Sequence, residues 1–318
     1  MEAKPFGNTP LQNMIFTRLH TVPAFRCFLA CWILGVSAFL AGCSDNAGNA
    51  PADQKRRAGR EPVEIVYVDW ASEKASSHVV QAVVEQRLGR RCELLPVSLI
   101  AMWEAIAAGD QDATVAAWLP SLQARFLQRH RSDVLNLGPN LKGTRIGLVV
   151  PEYVNIDSIE GLRRRGGKFA NKIIGIDPYA GIMEKTAAAM EAYGLDKFDL
   201  VSGSGTTMCT ALERAVAKHD WVVVTGWTPH WMFARWDLKY LADPKNIYGG
   251  EEHISTVVRK GLRQDMPEVY AFLANFYWSP RDMAEVMLLA QSEARTYRKA
   301  AAQWVKENPS IVDTWTGQ

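Results

Sequence analysis

The chain has 318 residues, 48% of them hydrophobic and 22% charged, which excludes a disordered or collagen-like polypeptide and leaves room for two ordinary lobes. Its net charge of +2 arises in the first 42 residues, where Lys4, Arg18 and Arg26 stand against Glu2; the rest balances 33 basic against 33 acidic side chains. A neutral body with no basic, aromatic-interleaved stripe points away from a nucleic-acid partner.

The first element is CFLACWILGVSAFLA, Cys27 to Ala41, preceded by Arg18 and Arg26. It falls short of the roughly 20 residues of a comfortable membrane span. Basic approach, short apolar core and small residues before Cys43 predict an export signal over residues 1–42. Residues 1–13 form a long lead-in, and Met14 is an alternative start. Leu40-Ala41-Gly42-Cys43 resembles the bacterial lipobox, which implies that Cys43 carries lipid and becomes the mature N-terminus; the alternative is an ordinary signal with an incidental cysteine. Residues 43–61 then read as a flexible tether, because SDNAGNAPADQKRRAGRE has too few hydrophobes to offset its ordering entropy.

From Pro62 onward strand and helix patterns alternate. VEIVYVD precedes a helix with Val79, Val80, Val83, Val84 and Leu88 on one face; CELLPVS precedes a helix over Leu99–Ala108; ATVAAW precedes a helix entered through Pro120; RIGLVVP follows. A second series starts near Asp157, with KIIGID before a helix from Gly181 to Tyr193, DLVSGS before TTMCTALERAVAKH, and WVVVTGW before PHWMFARW. An extended HISTVVRKG and three amphipathic helices within Asp265–Asn308 complete the chain. This pattern predicts an α/β fold of two lobes, each a mainly parallel sheet flanked by helices. The first lobe takes residues 62–147 and 251–318 and the second 148–250, with crossings near Arg145–Pro151 and Tyr248–Val258.

Three tryptophans follow apolar runs: Trp70 after VEIVYVD, Trp118 after ATVAA and Trp227 after VVVTG. Ligands of open α/β sheets collect beyond the carboxyl ends of the strands, so three indoles are expected in one cleft. Their faces attract a cation that donates no hydrogen bonds, which selects a quaternary ammonium group. Ordinary core packing is the alternative for any single tryptophan, and the expectation for Trp103, Trp221, Trp231, Trp236, Trp278, Trp304 and Trp315. Gly181 and Ile182 open a helix, where free backbone N–H groups and the helix dipole favour an anion. Only Cys92 and Cys209 remain in the body, and two buried thiols are expected, with no metal site and no cofactor.

The segments VYVDWASEKASS, MWEAIAAGDQDATVAAWLP, LGPNLKGTRIGLVVPEYVN, IIGIDPYAGIM and VVVTGWTPHWMFARWDLKYLADP together resemble the extracytoplasmic glycine betaine-binding proteins of osmoprotectant ABC importers. The resemblance runs from about Val63 to Trp278. It implies a bilobed, periplasmic-binding-protein fold (type II-like) that closes on its ligand in the interlobe cleft. It further implies a cage of Trp70, Trp118 and Trp227 around a trimethylammonium group, and the amides of Gly181 and Ile182 on the ligand's carboxylate. Where that family carries a histidine five residues after the second tryptophan, this chain has Gln123, which donates a neutral hydrogen bond and cannot become cationic. Tyr179 stands where a small residue is frequent, as a further candidate pocket wall.

The implied protein is a monomeric receptor in the periplasm or at the cell exterior, membrane-anchored through lipid on Cys43. It delivers a small zwitterion such as glycine betaine to a permease and its ATPase. Other methylated ligands (proline betaine, dimethylsulfoniopropionate, carnitine, choline) remain alternatives, as does a sensory ligand-binding lobe. An enzyme would have to draw on Ser204, His78, His219, His230 or His253, whose spacing matches no triad.

Overall fold

The computed structural model describes residues 61–292 and 296–317. The expected signal over 1–42, Cys43 and the tether up to residue 60 lie outside the described residues.

The first sheet contains β1 (Val63–Tyr67), β2 (Cys92–Pro96), β3 (Ala113–Leu119), the first part of β4 (Val134–Pro151) and β9 (Glu252–Arg259), in the order β2-β1-β3-β9-β4. β1 pairs in parallel with β2, from Val63 opposite Cys92 to Tyr67 opposite Pro96, and with β3 at Ile65 opposite Ala113. β9 then runs antiparallel to both β3 and β4. The second sheet contains the end of β4 with β5 (Lys172–Ile174), β6 (Asp199–Val201), β7 (Val224–Thr228) and β8 (Leu238–Tyr240). There β5 is parallel to β6 and β7, whereas β4 is antiparallel to β7 and β8.

Each sheet is therefore mainly parallel in strand direction, as expected, with one strand running against the rest: β9 in the first and β4 in the second. β4 runs from the first sheet into the second, and β9, wholly within the first, lies between β3 and β4, which both run the other way. The change of partner along β4 is abrupt: Thr144 is opposite Glu252 of β9, and the next residue, Arg145, is opposite Thr228 of β7. The expectation that Trp118 and Trp227 lie past their strands is corrected by the same pairing. Trp118 is opposite Ile254 and Trp227 opposite Ile146, so both lie inside strands that their antiparallel neighbours extend. Trp70 follows its strand, as the N-cap residue of the next helix.

Helices α1 (Ala71–Gln86) and α2 (Leu99–Ala108) flank the first sheet. α1 buries Val79, Val80, Val83 and Val84 as the pattern predicts and ends before Leu88; Gly89 at φ +63° lets the chain turn there. α2 is capped by Ser98, whose Oγ accepts from the Ala101 N–H at 3.3 Å, and stops at Gly109. Pro120 opens a turn rather than a helix, and α3 (Ala124–Arg129) begins only after Gln123. The second lobe carries α4 (Glu160–Arg165), α5 (Gly181–Ala192), α6 (Gly205–Lys218) and the single turn α7 (Met232–Arg235). Cys92 in β2 and Cys209 in α6 are buried free thiols.

After β9 comes the short α8 (Leu262–Asp265), then the three helices expected within Asp265–Asn308, α9 (Pro267–Asn275), α10 (Pro280–Gln291) and α11 (Tyr297–Glu307), and beyond them a further one, α12 (Pro309–Thr316). Trp278, Trp304 and Trp315 form one aromatic cluster, with centroids 5.8 Å apart for the first pair and 6.0 Å for the second. They are core residues, as is Trp103. α11 packs along α1 and so backs the helix whose first turn enters the candidate site.

Candidate functional site

Trp70, Trp118 and Trp227 line one small cavity between the two sheets, together with Gln123, Gly181 and Ile182. Leu122, Ile146, Ile176 and Ala180 complete its wall; these four were not anticipated. None of the lining residues is ionisable, and the only polar side chain that is not an indole is Gln123. Such a chamber suits a methylated, weakly hydrated charge at its aromatic side and a hydrogen-bond acceptor at its amide side.

The indoles are held by hydrogen bonds as well as by packing. The Trp118 Nε1–H donates to Glu73 Oε1 at 2.5 Å, and Ser72 Oγ donates to Glu73 Oε2 at 2.7 Å. The Trp227 Nε1–H donates to Ser72 Oγ at 3.0 Å. Two cavity tryptophans from different lobes are thus joined through Ser72 and Glu73, both in the first turn of α1. Glu73 is only 1% exposed, and burial pushes its carboxyl up to about 6, against the downward pull of the bonds from Trp118 and Ser72. Sequence reasoning missed Ser72 and Glu73; the available signal was an acid three residues after Trp70, where an N-capped helix places it in the first turn.

On the amide side, α5 starts at Gly181 after Ala180, which provides no side-chain cap. Gly181 and Ile182 occupy its first two positions, whose N–H groups no carbonyl of the helix can satisfy. Gly181 is also a point of contact between the lobes. A Cβ there would stand 2.8 Å from the Leu122 carbonyl oxygen and 2.8 Å from its Cβ, so a larger residue would collide with the first-lobe loop. That loop is tied to β9, because both carboxylate oxygens of Glu252 accept from the Ser121 N–H, at 3.2 and 3.1 Å. Arg125 of α3 pairs with Glu184 of α5 at 3.2 Å, a second link across the cleft at its exposed edge.

Gln123 is 1% exposed, and its amide orientation is fixed by its partners. The Trp103 indole only donates, so Oε1 must receive its N–H at 2.9 Å; Nε2 then donates to the Ala116 carbonyl at 3.4 Å. One Nε2 hydrogen remains beyond that bond. Tyr179 stands apart from the group: it is 57% exposed and absent from the cavity wall, because the Asp177 carboxylate holds its backbone N–H at 2.9 Å in the turn before α5.

Four of the five candidate groups for an enzyme, Ser204, His78, His219 and His230, are engaged in capping or ring contacts. Ser204 caps α6 in a reciprocal box with Thr207, accepting the Thr207 N–H at 3.1 Å. His219 ends α6 and stacks on Tyr153 at 3.9 Å; His78 stacks on Tyr297 at 6.2 Å. His230 packs edge-on against Trp227 at 4.6 Å, its Nδ1 accepting from the Met232 N–H, and burial drives its imidazole down to about 3. Among the described residues, no group of three or more His, Cys, Asp or Glu side chains is placed to hold a metal, and no helix is long and apolar enough to cross a membrane.

Residues 61–307 match the family model for the substrate binding domain of ABC-type glycine betaine transport systems. A glycine betaine/carnitine transport binding protein of Listeria monocytogenes is 47% identical over 146 residues, covering 45% of this chain and 48% of that protein; the alignment thus spans about half the relative's length. Among solved structures, the lactococcal OpuAC in its closed, glycine betaine-liganded conformation is 40% identical with a TM-score of 0.75, over 80% of this chain and 98% of that one. The glycine betaine/L-proline-binding protein ProX of Borrelia burgdorferi is 37% identical with a TM-score of 0.76, over 80% of this chain and 96% of that one. These relatives share the two-lobed binding-protein architecture, and the chain belongs to the family of substrate-binding domains of ABC-type glycine betaine transport systems.

Proposed function

We propose that this chain captures glycine betaine or a closely related quaternary ammonium solute outside the cytoplasm and delivers it to the permease and ATPase of an importer. The observation that carries this reading is one cavity walled by three indoles from both lobes, with a helix N-terminus on its opposite side. Each cation–π contact contributes about 0.5–2 kcal/mol, so three of them with charge-assisted hydrogen bonds to a carboxylate support binding near the micromolar range. Because the walls come from two lobes, ligand favours their approach through its greater affinity for that arrangement.

Trp70, Trp118 and Trp227 hold the trimethylammonium group; Gly181 and Ile182 hold the carboxylate, helped by the remaining Nε2 hydrogen of Gln123. Choline lacks the group those amides recognise. The receptor works as a monomer, anchored to the membrane through lipid on Cys43, and performs no covalent chemistry. The assignment of residues 62–147 and 251–318 to one lobe and 148–250 to the other belongs to the same reading.

Tryptophan fluorescence of the mature protein, titrated with glycine betaine, proline betaine, carnitine, choline and dimethylsulfoniopropionate, tests it. A saturable change with glycine betaine is expected. Response to another of the five alone would reassign the substrate; silence with all five, confirmed by calorimetry, would overturn the reading.

A further inference from the structure

The cavity wall has no ionisable side chain, yet a buried carboxylate lies directly behind it. Glu73 receives the Trp118 N–H on one oxygen and the Ser72 hydroxyl on the other, and Ser72 in turn receives the Trp227 N–H. Indole nitrogens only donate, so the bonds have one direction, from both tryptophans toward the carboxylate. With Glu73 ionised, each of these donors has an acceptor. A proton on Oε2 reverses the bond to Ser72, whose Oγ then accepts from both Glu73 and Trp227 while its own hydrogen loses its acceptor, and a proton on Oε1 opposes the Trp118 N–H. A negative charge behind an indole also strengthens the attraction of that ring's far face for a cation, through a medium that screens poorly.

We propose that Glu73 is the counter-charge and positioning residue of the cage: its ionised form favours both the cation and the Trp118–Trp227 link between lobes, so ligand capture releases a proton from it. The proposal deepens the function assigned above and rests on it.

The titratable and charged groups around Glu73 come from every element packed against it. On its own helix, Lys74 is paired with Asp69 at 2.9 Å, and burial holds His78 below its ordinary value. Burial pushes up Tyr67 of β1, Tyr297 of α11 and, to about 12, Cys209 of α6. Gln291 of α10, which bonds to Tyr297, is neutral, as is Trp118 on β3. Beyond Trp227, His230 is driven down to about 3. Burial places Glu73 near 6, and its replacement by glutamine separates its proton from that of His78 five residues along the same helix. A cation in the cage favours the ionised form, so acid opposes binding.

The test is calorimetric titration of the mature protein with glycine betaine from about pH 5 to about pH 8, in pairs of buffers of different ionisation enthalpy. Near pH 6 the wild type should release a fraction of a proton per ligand, and its affinity should fall about tenfold from pH 7.5 to pH 5. Glu73→Gln, nearly the same size, should bind about tenfold more weakly at pH 7.5, with no pH dependence and no proton release. Binding without proton release in the wild type would overturn the proposal even if the variant failed to fold, and so would a variant whose affinity still followed pH. Absence of glycine betaine binding at every pH would instead remove the functional reading, and this proposal with it.

Discussion

Ser72 and Trp227 are 155 residues apart in sequence and 3.0 Å apart in space, and the bond between them joins two lobes at the wall of one cavity. Trp227 is thereby oriented by the first lobe while being carried by the second. A ligand touching it reports on both.

Trp118→Ala should weaken glycine betaine binding at least tenfold, because it removes one cage face, worth about 0.5–2 kcal/mol, and also a donor to Glu73. Trp118→Phe keeps an aromatic face without the N–H and should fall between. Isothermal titration compares the three, and equal affinities would take Trp118 out of the site.

Gly181→Ala tests the contact between lobes. The added methyl would meet Leu122 at 2.8 Å, including its backbone oxygen, which is not the end of a flexible side chain. Ligand affinity should drop about tenfold or more, while the melting temperature without ligand stays within a few degrees of wild type, since the lobes can part to relieve the clash. Unchanged affinity would show that the loop gives way.

Gln123→Ala is expected to affect the fold as well as the ligand. It leaves the buried Trp103 N–H without its acceptor, a loss of about 1–3 kcal/mol. Denaturant midpoints should record that loss, and titrations the weaker binding. Gln123→His can still accept from Trp103 with one ring nitrogen and donate with the other, so it should retain both properties.

His230 and Glu73 give stability opposite responses to acid. His230 has a folded value of about 3 against an ordinary 6.5, so the unfolded chain binds the extra proton and stability falls as pH drops below about 6.5. Glu73 is raised from 4.5 to about 6, so the folded state binds the extra proton between those values and stability rises as pH falls through that window. Urea midpoints of His230→Gln should therefore decline less between about pH 6.5 and pH 4 than those of wild type. Matching profiles would contradict burial of a neutral imidazole.

The sequence pattern located nearly every large element, because apolar runs and helix-opening residues are local signals. Trp70, Trp118 and Trp227 stood out because each follows an apolar run, even though two of them lie within strands. Antiparallel partners decide where β3 and β7 end, and those partners are distant in sequence. For the same reason the single antiparallel strand in each sheet, β9 in one and β4 in the other, was not legible. Gly181 was legible as a helix start, but its contact with Leu122 was not, since close approach depends on how the lobes meet. Gln123 stood out as a departure from a motif, while its engagement with Trp103 required the packed core. Ser72 and Glu73 gave little sign, because a serine and an acid in a helix's first turn ordinarily face water.

The abrupt change of partners along β4 bears on how the molecule can be taken apart. Thr144 and Glu252 are register partners, so everything between them is an insertion whose two ends already lie side by side. A short turn joining these two positions would make β4 and β9 an ordinary hairpin and leave the first lobe as one shortened chain, while the excised segment would carry Trp227 and the α5 N-terminus. Mixed together, such halves would regain ligand binding only by meeting across the cleft. Ligand-dependent association of the two fragments would thus be a direct reading of closure without any hinge.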